Sequence, residues 1–448
     1  MSSDRLTPRR ILLVAGFFPP LAPSGSTRAP SLARHWLAQG HDVRVLSARN
    51  RLTSKVLKHE LPEERVTFVP FPEVESLREA AAFHLFGRVP PTPADGGGSP
   101  ATPPAGAGGG TPRLASLPYR KQIADLYWDM MFIPDKHLFW SRTATTAGRA
   151  LVERWKPDLL YSSGPPHSGH IVARHLAAAC GAPWVAELRD EWAGNPYGVQ
   201  NWLRTIIERR MERRTLHDAT ALVAVTRTTQ RTLDQLHGKP VALSMNGYDP
   251  VDFDGLETVT PLDPDKLTIV HAGSIYIGKR DPSSLFAATA RLGALASRVN
   301  LLFYGEQADS LASLARHYGV EASVTISPPI TRREVLEIER RADVLLLCRW
   351  NDPAEDGIIP GKLFEYIGAR RPILVIGSET GEAAEIVREG QFGLVSNDPD
   401  RLAAQLRGWI EAKAQTPRLE DVPNISGRDY TRAGQFDALD SFLARTLA

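Results

Sequence analysis

The segment 357–372, GIIPGKLFEYIGARRP, contains residue types that could bind a diphosphate and a ribose. Pro360 and Gly361 bend the chain into a predicted helix beginning near Lys362, and the first amides of a helix lack carbonyl partners and attract anions. Lys362 adds a mobile positive charge, and Glu365, one turn further on, could accept hydrogen bonds from both ribose hydroxyls. The segment therefore predicts a nucleotide-diphosphate site. The alternative is an ordinary helix start with a surface lysine and glutamate.

Polar candidates also follow predicted strands in the first half of the chain. Arg189 and Asp190 come directly after one strand, and ligands of open α/β sheets lie beyond the carboxyl ends of strands. In the loop after the first strand, Gly25 permits close approach of the backbone, and Arg28 could hold a phosphate or a carboxylate. An exposed arginine near a helix start is the alternative for Arg28.

Two histidines lie at a further strand end, in the sequence SSGPPHSGH. His167 at this bend could position a hydroxyl or respond to charge near neutral pH, and His170 lies most of a turn beyond it. Local polar structure at a helix start is the alternative for both residues.

A repeated pattern of strands and helices must position these candidates. Short apolar runs bounded by glycine and proline predict buried parallel strands with helices between them. The predicted strands include 11–16, 158–164, 183–188, 220–225, 267–274, 299–303, 324–327, 342–348 and 373–377. The chain has 448 residues, whereas a single core stops growing at roughly 250 to 300 residues. The predicted fold is α/β, with two doubly wound, Rossmann-like domains that face a cleft.

Domain boundaries follow from the same pattern. We expect an N-terminal domain at 1–247, a linker at 248–266 and a C-terminal domain at 267–425. We expect a final helix within 426–448, and this helix could pack back on the N-terminal domain. Residues 90–113 are too poor in apolar residues to order themselves and are predicted to be a disordered insertion.

Composition argues against several classes of protein. A net charge of +2 argues against general nucleic-acid binding. No apolar run approaches the ~20 residues of a membrane span, and Cys180 and Cys348 are typical of core residues in a reducing compartment. The loop after the first strand lacks the G-x-G-x-x-G order of a nicotinamide-dinucleotide site. We therefore expect a cytoplasmic protein.

Three Asp-x-Asp pairs are candidate metal ligands, at 252/254, 263/265 and 398/400. Their surroundings are rich in proline or resemble a linker, where turn aspartates are common. No metal is therefore predicted.

Some stretches could contact a surface. Aromatic clusters at 83–86 and 127–132 could form an acceptor or membrane surface, or pack in a core. The stretch 201–217, NWLRTIIERRMERRTLH, could lie on anionic lipid or form a solvated helix face with internal Glu–Arg pairs. A peripheral contact with the inner face of the cell membrane is therefore one option.

Taken in order, several motifs resemble the family 4 glycosyltransferases of the GT-B fold. They are the Gly25/Arg28 loop, SSGPPHSGH, ELRDEW, NGYD, HAGS followed by GK, and PGKLFEYIGARRPIL. The resemblance implies transfer of a sugar, with retention of configuration, from a nucleotide-diphosphate sugar to an acceptor hydroxyl. The C-terminal domain would hold the donor and the N-terminal domain would hold a glycan or lipid-linked acceptor. The nucleotide sugar would be a co-substrate, and no cofactor is implied.

The resemblance also implies roles for single residues. Lys279 and Lys362 would neutralise the diphosphate, Glu365 would bind ribose, and the backbone near 361–363 would hold phosphates. The remaining implied donor contacts are Gly273, Ser274, Ile330, Pro360, Gly361 and Leu363. His167 would touch the donor sugar and is assigned, with Asp190, to catalysis. Gly25, Arg28 and Arg189 would border the diphosphate and the acceptor.

The sequence departs from the family pattern at two positions. Gly357 stands where the family commonly has a glutamate that faces the donor sugar, and Ser274 follows Gly273 where an arginine is frequent. The enzyme hypothesis is a transferase in surface polysaccharide, lipopolysaccharide or glycoconjugate synthesis. The alternatives are a catalytically silent nucleotide-sugar-binding partner, which Gly357 motivates, and a GT-B sugar-nucleotide epimerase.

Overall fold

The computed structural model describes residues 6–22, 26–50, 61–72, 130–194, 201–256, 259–306 and 308–447. Gly25, the insertion predicted at 90–113 and the aromatic cluster at 83–86 lie outside these residues. The chain divides into two compact units. Unit 1 comprises Met1–Val225, Thr229–Leu243 and Leu439–Ala448, and unit 2 comprises Thr226–Thr228 and Ser244–Ala438.

Unit 1 contains a sheet of seven parallel strands. They are β1 (Arg10–Ala15), β2 (Asp42–Ala48), β3 (Val66–Val69), β4 (Leu159–Gly164), β5 (Trp184–Leu188), β6 (Ala221–Ala224) and β7 (Val241–Leu243). Their order is β3-β2-β1-β4-β5-β6-β7. The first five helices of the described chain are α1 (Arg28–Ala38), α2 (Leu138–Trp155), α3 (Ser168–Cys180), α4 (Trp202–Leu216) and α5 (Arg227–His237). β4, β5 and β6 are buried throughout, as expected for strands covered on both faces, although β4 carries two serines and β5 a glutamate.

Unit 2 contains a second parallel sheet, of six strands. They are β8 (Leu267–Ala272), β9 (Val299–Tyr304), β10 (Val324–Ser327), β11 (Val344–Cys348), β12 (Ile373–Ile376) and β13 (Gly393–Val395), in the order β10-β9-β8-β11-β12-β13. The next helices are α6 (Ser283–Ala290), α7 (Ala308–Tyr318), α8 (Arg332–Arg341), α9 (Gly361–Ala369), α10 (Glu382–Glu389) and α11 (Pro399–Lys413), and the last is α12 (Arg432–Thr446). Short 3-10 helices span Glu63–Arg65, Pro250–Phe253, Gly293–Arg298, Glu321–Ser323 and Pro353–Glu355.

Both sheets reverse their direction of growth beside their first strand. In unit 1, β1 pairs with β2 on one side and β4 on the other. In unit 2, β8 pairs with β9 and β11 in the same way. Such a reversal opens a crevice beyond the carboxyl ends of the strands, where ligands of open α/β sheets bind. The predicted fold of two doubly wound α/β domains is confirmed.

Helices and aromatic residues bear on the question of membrane contact. Among the described helices, none is both long enough and apolar enough to cross a membrane. Phe132, from one of the aromatic clusters, is buried and packs edge-on against Phe139 with ring centroids 5.7 Å apart. Core packing therefore accounts for Phe132.

Candidate functional site

Lys362 in unit 2 lies directly against the backbone at the end of β8. A Cβ atom built on Gly273 would overlap the Lys362 ammonium group, and Gly273 has a φ of +143°, which side chains rarely adopt. Glycine is therefore required here for two independent reasons. Burial lowers the pKa of Lys362 even though Glu339 and Glu365 act to raise it. The result is a desolvated ammonium group at the edge of the sheet where ligands are expected.

His271, the fifth residue of β8, lies behind this ammonium group. Its Nδ1 is 2.9 Å from the Leu346 carbonyl oxygen, which can only accept a hydrogen bond, so Nδ1 carries the proton. Nε2 is buried, has no hydrogen-bond partner among the described residues, and lies 3.8 Å from the Cβ position built on Gly273. Burial, together with the charge on Lys362, lowers the pKa of His271 to about 3. A neutral imidazole therefore presents a lone pair on the side of Lys362.

α9 begins at Gly361 with Pro360 as its N-cap. The Leu363 amide donates to the Pro360 carbonyl at 3.0 Å. The Gly361 and Lys362 amides belong to the first turn, where no carbonyl of the same helix is available. This helix start and the Lys362 side chain therefore offer positive potential to an anion.

Glu365 is held by an arginine that sequence reasoning missed. Arg332 donates from Nη1 to Glu365 Oε1 at 2.5 Å and from Nη2 to Asp252 Oδ2 at 2.8 Å. Burial acts to lower the pKa of Arg332, but Glu365 and Asp252 outweigh it and raise that pKa. The Glu365 carboxylate is thereby fixed in orientation.

Glu339 is a second buried carboxyl near this place. It lies on α8, is completely buried, and neither of its oxygens has a hydrogen-bond partner among the described residues. Burial, and then the charge on Glu365, raises the pKa of Glu339 well above its ordinary value. The sequence contained no signal for Glu339 beyond a glutamate on the inward face of a helix.

Lys279 lies in a tight turn beyond β8. Its ammonium nitrogen is 4.3 Å from the centroid of the Trp350 ring, two residues after the end of β11. Because β8 and β11 are neighbours in the sheet, this cation–π contact draws Lys279 toward the β11 edge. Ser274 is exposed beyond β8, and Ile330 is half-buried in the loop between β10 and α8.

The two carboxylates nearest Gly357, those of Glu355 and Asp356, lie in the loop before α9. Asp356 accepts hydrogen bonds from Ser378 and Thr380, each at 2.9 Å, and so closes the loop. Glu355 is buried and is 3.2 Å from Arg280 Nη2. Both carboxylates therefore have local partners, and Gly357 itself brings none.

An apolar pocket opens at the carboxyl ends of β8, β9 and β10. Its lining residues are Gly273, Ile275, Phe303, Gly305, Leu311 and Ile326. It shares Gly273 with the Lys362 site, so an anion and a flat apolar group could be bound side by side.

In unit 1, Arg28 is part of a buried network. The residue is 3% exposed, and its Nε donates to Glu187 Oε1 at 2.8 Å. The Tyr161 hydroxyl donates to the same oxygen at 2.8 Å, and Ser163 donates to the other at 2.6 Å. Burial acts to raise the pKa of Glu187, but Arg28 and Ser163 outweigh it. Arg28 is thus an anchored, buried cation and not an exposed arginine.

His167 and Arg189 are brought together around the end of β4. Arg189 donates from Nη2 to the Pro165 carbonyl at 2.5 Å and from Nε to the Gly164 carbonyl at 3.3 Å. The His167 ring is stacked on Trp192, with centroids 5.0 Å apart and an interplanar angle of 9°. Asp190, one residue further along the chain, is exposed. Two carboxyl-end positions predicted separately thus form one cluster.

Two sets of predicted residues are therefore assembled, one in each unit. The set in unit 2 contains Gly273, Lys362 and Glu365, and the set in unit 1 contains His167 and Arg189. Sequence reasoning missed five residues that hold these sets in place: Glu187, Trp192, His271, Arg332 and Glu339. The motifs HAGS and ELRDEW contained three of them, but a histidine or glutamate inside an apolar strand gives no sign of its partner.

Comparisons with known proteins agree with this architecture. Residues 25–248 match the family model of the glycosyl transferase 4-like domain, and residues 266–412 match that of the glycosyl transferases group 1. No curated protein matches the sequence.

Solved structures share the fold at low sequence identity. A glycosyltransferase from Rickettsia africae ESF-5 has a TM-score of 0.54 and 11% identity, over 98% of this chain and 96% of that chain. HepE of Anabaena, in complex with UDP-glucose, has a TM-score of 0.52 and 14% identity, over 98% and 97%. The lipopolysaccharide outer core galactosyltransferase WaaB has a TM-score of 0.56 and 10% identity, over 97% and 99%.

Proposed function

Because the chain belongs to the family of group 1 glycosyl transferases, we propose that it moves a sugar from a nucleotide-diphosphate sugar to an acceptor hydroxyl, with retention of configuration. The observation that supports this donor best is the Lys362 ammonium group. It is desolvated over Gly273 and lies at the start of α9. HepE, which has the same fold, binds UDP-glucose.

The donor groups are assigned by chemistry. The diphosphate is bound by Lys362, Lys279 and the first amides of α9, because all of them are donors and two are cations. Glu365, oriented by Arg332, receives the ribose hydroxyls. The apolar pocket that begins at Gly273 takes the nucleobase.

These groups act on the leaving group. When the bond between the anomeric carbon and the phosphate oxygen breaks, its electron pair passes to that oxygen and the diphosphate gains negative charge. Preorganised cations and amides stabilise this charge most strongly where water is excluded. The acceptor oxygen forms the new bond at the anomeric carbon, and its proton passes to the departing phosphate oxygen. No metal has a role in this scheme.

We assign the acceptor and the cellular setting from the family resemblance. The acceptor is a glycan or a lipid-linked glycan, and the product belongs to a surface polysaccharide, a lipopolysaccharide or a similar glycoconjugate. Unit 1 supplies the acceptor side through Arg28 and Arg189, and the protein works in the cytoplasm.

The decisive experiment is turnover with purified full-length protein. A panel of nucleotide sugars is first ranked by thermal shift, since a ligand at 100 times its dissociation constant stabilises by about 2.7 kcal/mol. The best donor is then incubated with and without an extract of acceptor glycolipids. The proposal expects nucleoside diphosphate release that requires the extract. Binding without release under any condition would indicate a silent partner, and conversion of donor alone would indicate an epimerase.

α4 supports a peripheral membrane contact. Trp202, Leu203 and Ile206 are 75%, 43% and 55% exposed, and Arg209 and Arg210 are exposed on the same side of the helix. Apolar and basic residues thus follow one another along the exposed side of this helix. In this arrangement the apolar end of α4 would enter lipid, and the arginines would contact anionic headgroups.

Vesicle sedimentation tests this contact. Full-length protein should sediment with vesicles containing anionic phosphatidylglycerol and less with neutral ones. The double variant Trp202→Ser with Ile206→Ser should lose this binding. Val251→Ser, which removes another exposed apolar side chain, is the matched control. Equal binding by all three proteins would contradict the proposed surface.

A further inference from the structure

Arg280 ends the tight turn that follows β8 in unit 2. The Tyr276 amide donates to the Arg280 carbonyl at 3.0 Å, and the Arg280 amide donates to the Tyr276 carbonyl at 2.8 Å. Inside the turn, the Gly278 amide donates to Asp281 Oδ2 at 2.6 Å. The backbone of the turn is therefore closed by its own hydrogen bonds, and the direction of the Arg280 side chain depends on what that side chain contacts.

Glu355 is the buried carboxylate that contacts Arg280. It is 1% exposed, and its Oε1 accepts from Arg280 Nη2 at 3.2 Å. Its Oε2 lies 3.7 Å from Nη2 of Arg349, which is also 1% exposed and which donates to the Ile358 carbonyl at 3.2 Å. A buried carboxylate between two guanidinium groups cannot turn away without leaving a buried charge unpaired. Glu355 therefore holds the Arg280 guanidinium group in one place.

This place is at the same edge of the sheet as Lys362. The turn that carries Arg280 follows β8, and the loop that carries Glu355 follows β11, its neighbour in the sheet. Burial lowers the pKa of Lys362, and the positive charge of Arg280 adds to this shift. Two neighbouring cations raise the electrostatic energy of the free site, and an anion bound to both lowers it. Because 33% of the Arg280 side chain is exposed, an anion in solution can reach it.

We propose that Arg280 is a further cation of the diphosphate site and that Glu355 is its positioning residue. The proposal rests on the proposed function and adds to the roles given above to Lys279 and Lys362. A guanidinium group presents a rigid fork of N–H donors that fits two phosphate oxygens, whereas a lysine is a point charge. Arg280 would thus orient the diphosphate, and Glu355 would act through Arg280 without touching the ligand.

Calorimetric titration with pyrophosphate and with UDP tests the role of Arg280. Arg280→Gln should weaken the binding of both ligands about tenfold to a hundredfold, the loss of one charge-assisted hydrogen bond. Arg291→Gln is the matched control, because Arg291 follows the far end of α6 and pairs with Asp400. It removes the same charge and should bind like the wild-type protein. Wild-type affinity in a folded Arg280→Gln protein, or equal losses in both variants, would overturn the proposal.

Glu355→Gln tests the positioning role by the sign of its effect. Removal of a carboxylate close to a bound anion should strengthen binding if charge alone mattered. The proposal expects the opposite: pyrophosphate should bind about tenfold more weakly because Arg280 loses its anchor, with no further loss in the Arg280→Gln background. Burial raises the pKa of Glu355, so the titrations are done at pH 8, where its carboxylate is charged. Stronger binding by a folded Glu355→Gln protein would overturn the positioning role.

Two further variants complete the test. Arg280→Lys keeps the charge but not the fork and should recover only part of the affinity, even if Glu355→Gln does not fold; full recovery would overturn the oriented fork. Lys362→Ala separates this proposal from the proposed function. Affinity that is lost in Lys362→Ala but kept in Arg280→Gln would leave the diphosphate site in place and refute only the role of Arg280. A wild-type protein that binds neither pyrophosphate nor UDP would refute both.

Discussion

Gly273→Ala should displace the positive charge that binds the phosphate, although the lysine that carries this charge is kept. The new methyl group would occupy the position of the Lys362 ammonium group, which must then swing away from the end of β8. A charge-assisted hydrogen bond contributes about 1.5 to 3 kcal/mol, so nucleoside diphosphate affinity should fall roughly tenfold to a hundredfold. Alanine at a φ of +143° should also lower the free energy of unfolding by about 1 to 3 kcal/mol.

Calorimetric titration with nucleoside diphosphates is the assay, and Gly361→Ala is the matched control. Gly361 lies in the same site, but a Cβ built there meets nothing within 4 Å. Gly361→Ala should bind like the wild-type protein. Lys362→Ala should lose as much affinity as Gly273→Ala, and the double variant should lose little more, because both changes remove one contact.

The reasoning fails in either of two cases. Wild-type affinity in a folded Gly273→Ala protein would show that Lys362 reaches the phosphate from elsewhere. Fully additive losses in the double variant would show that the glycine and the lysine act separately.

Three further predictions concern residues around the two sites. Arg332→Gln should weaken binding of a nucleoside diphosphate more than binding of pyrophosphate, because it frees Glu365 and leaves Lys362 in place; calorimetry with both ligands checks this, and equal losses would contradict it. Glu339→Gln should stabilise the protein by an amount that grows as pH rises above 4.5, the ordinary pKa of this carboxyl. The sign follows because the unfolded glutamate releases its proton there while the folded one, with a raised pKa, keeps it; urea unfolding at pH 4 and pH 8 measures the difference, and a pH-independent gap would refute it. Gly164→Ala should lower the free energy of unfolding, because the new Cβ would lie 2.5 Å from His170 Nε2 and 3.1 Å from His167 Nδ1; urea unfolding measures this loss, and unchanged stability would show that the two rings are not held against Gly164.

The sequence predicted the elements because their signals are local. Apolar runs ended by glycine or proline mark strand ends within a few residues, and Pro360 and Gly361 place the start of α9 at the right position. Lys362 and Glu365 were found for the same reason.

The partners of these residues could not be predicted, because they depend on which strands and helices become neighbours. Arg332 lies 33 residues before Glu365 and follows a different strand. Arg28 lies 159 residues before Glu187, whose strand WVAEL reads as a core segment with one odd carboxylate. These side-chain contacts depend on which strands pair, such as β8 with β11 and β4 with β5. The sequence pattern does not show which strands pair.

The charge that assists the leaving group should come from lysine and not from histidine, and the pH profile can show this. Burial lowers the pKa of both His167 and His271 to about 3, so neither ring gains or loses a proton between pH 5 and pH 8. Burial also lowers the pKa of Lys362 from 10.5, so its charge is lost at a lower pH than for an exposed lysine. We therefore expect kcat/KM for the best donor to show no transition near pH 6.5 and to fall on the alkaline side, with the transition absent in Lys362→Ala. A transition near pH 6.5 that disappears in His167→Gln would mean that the His167 imidazole gains its proton near neutral pH, and would contradict a pKa lowered by burial.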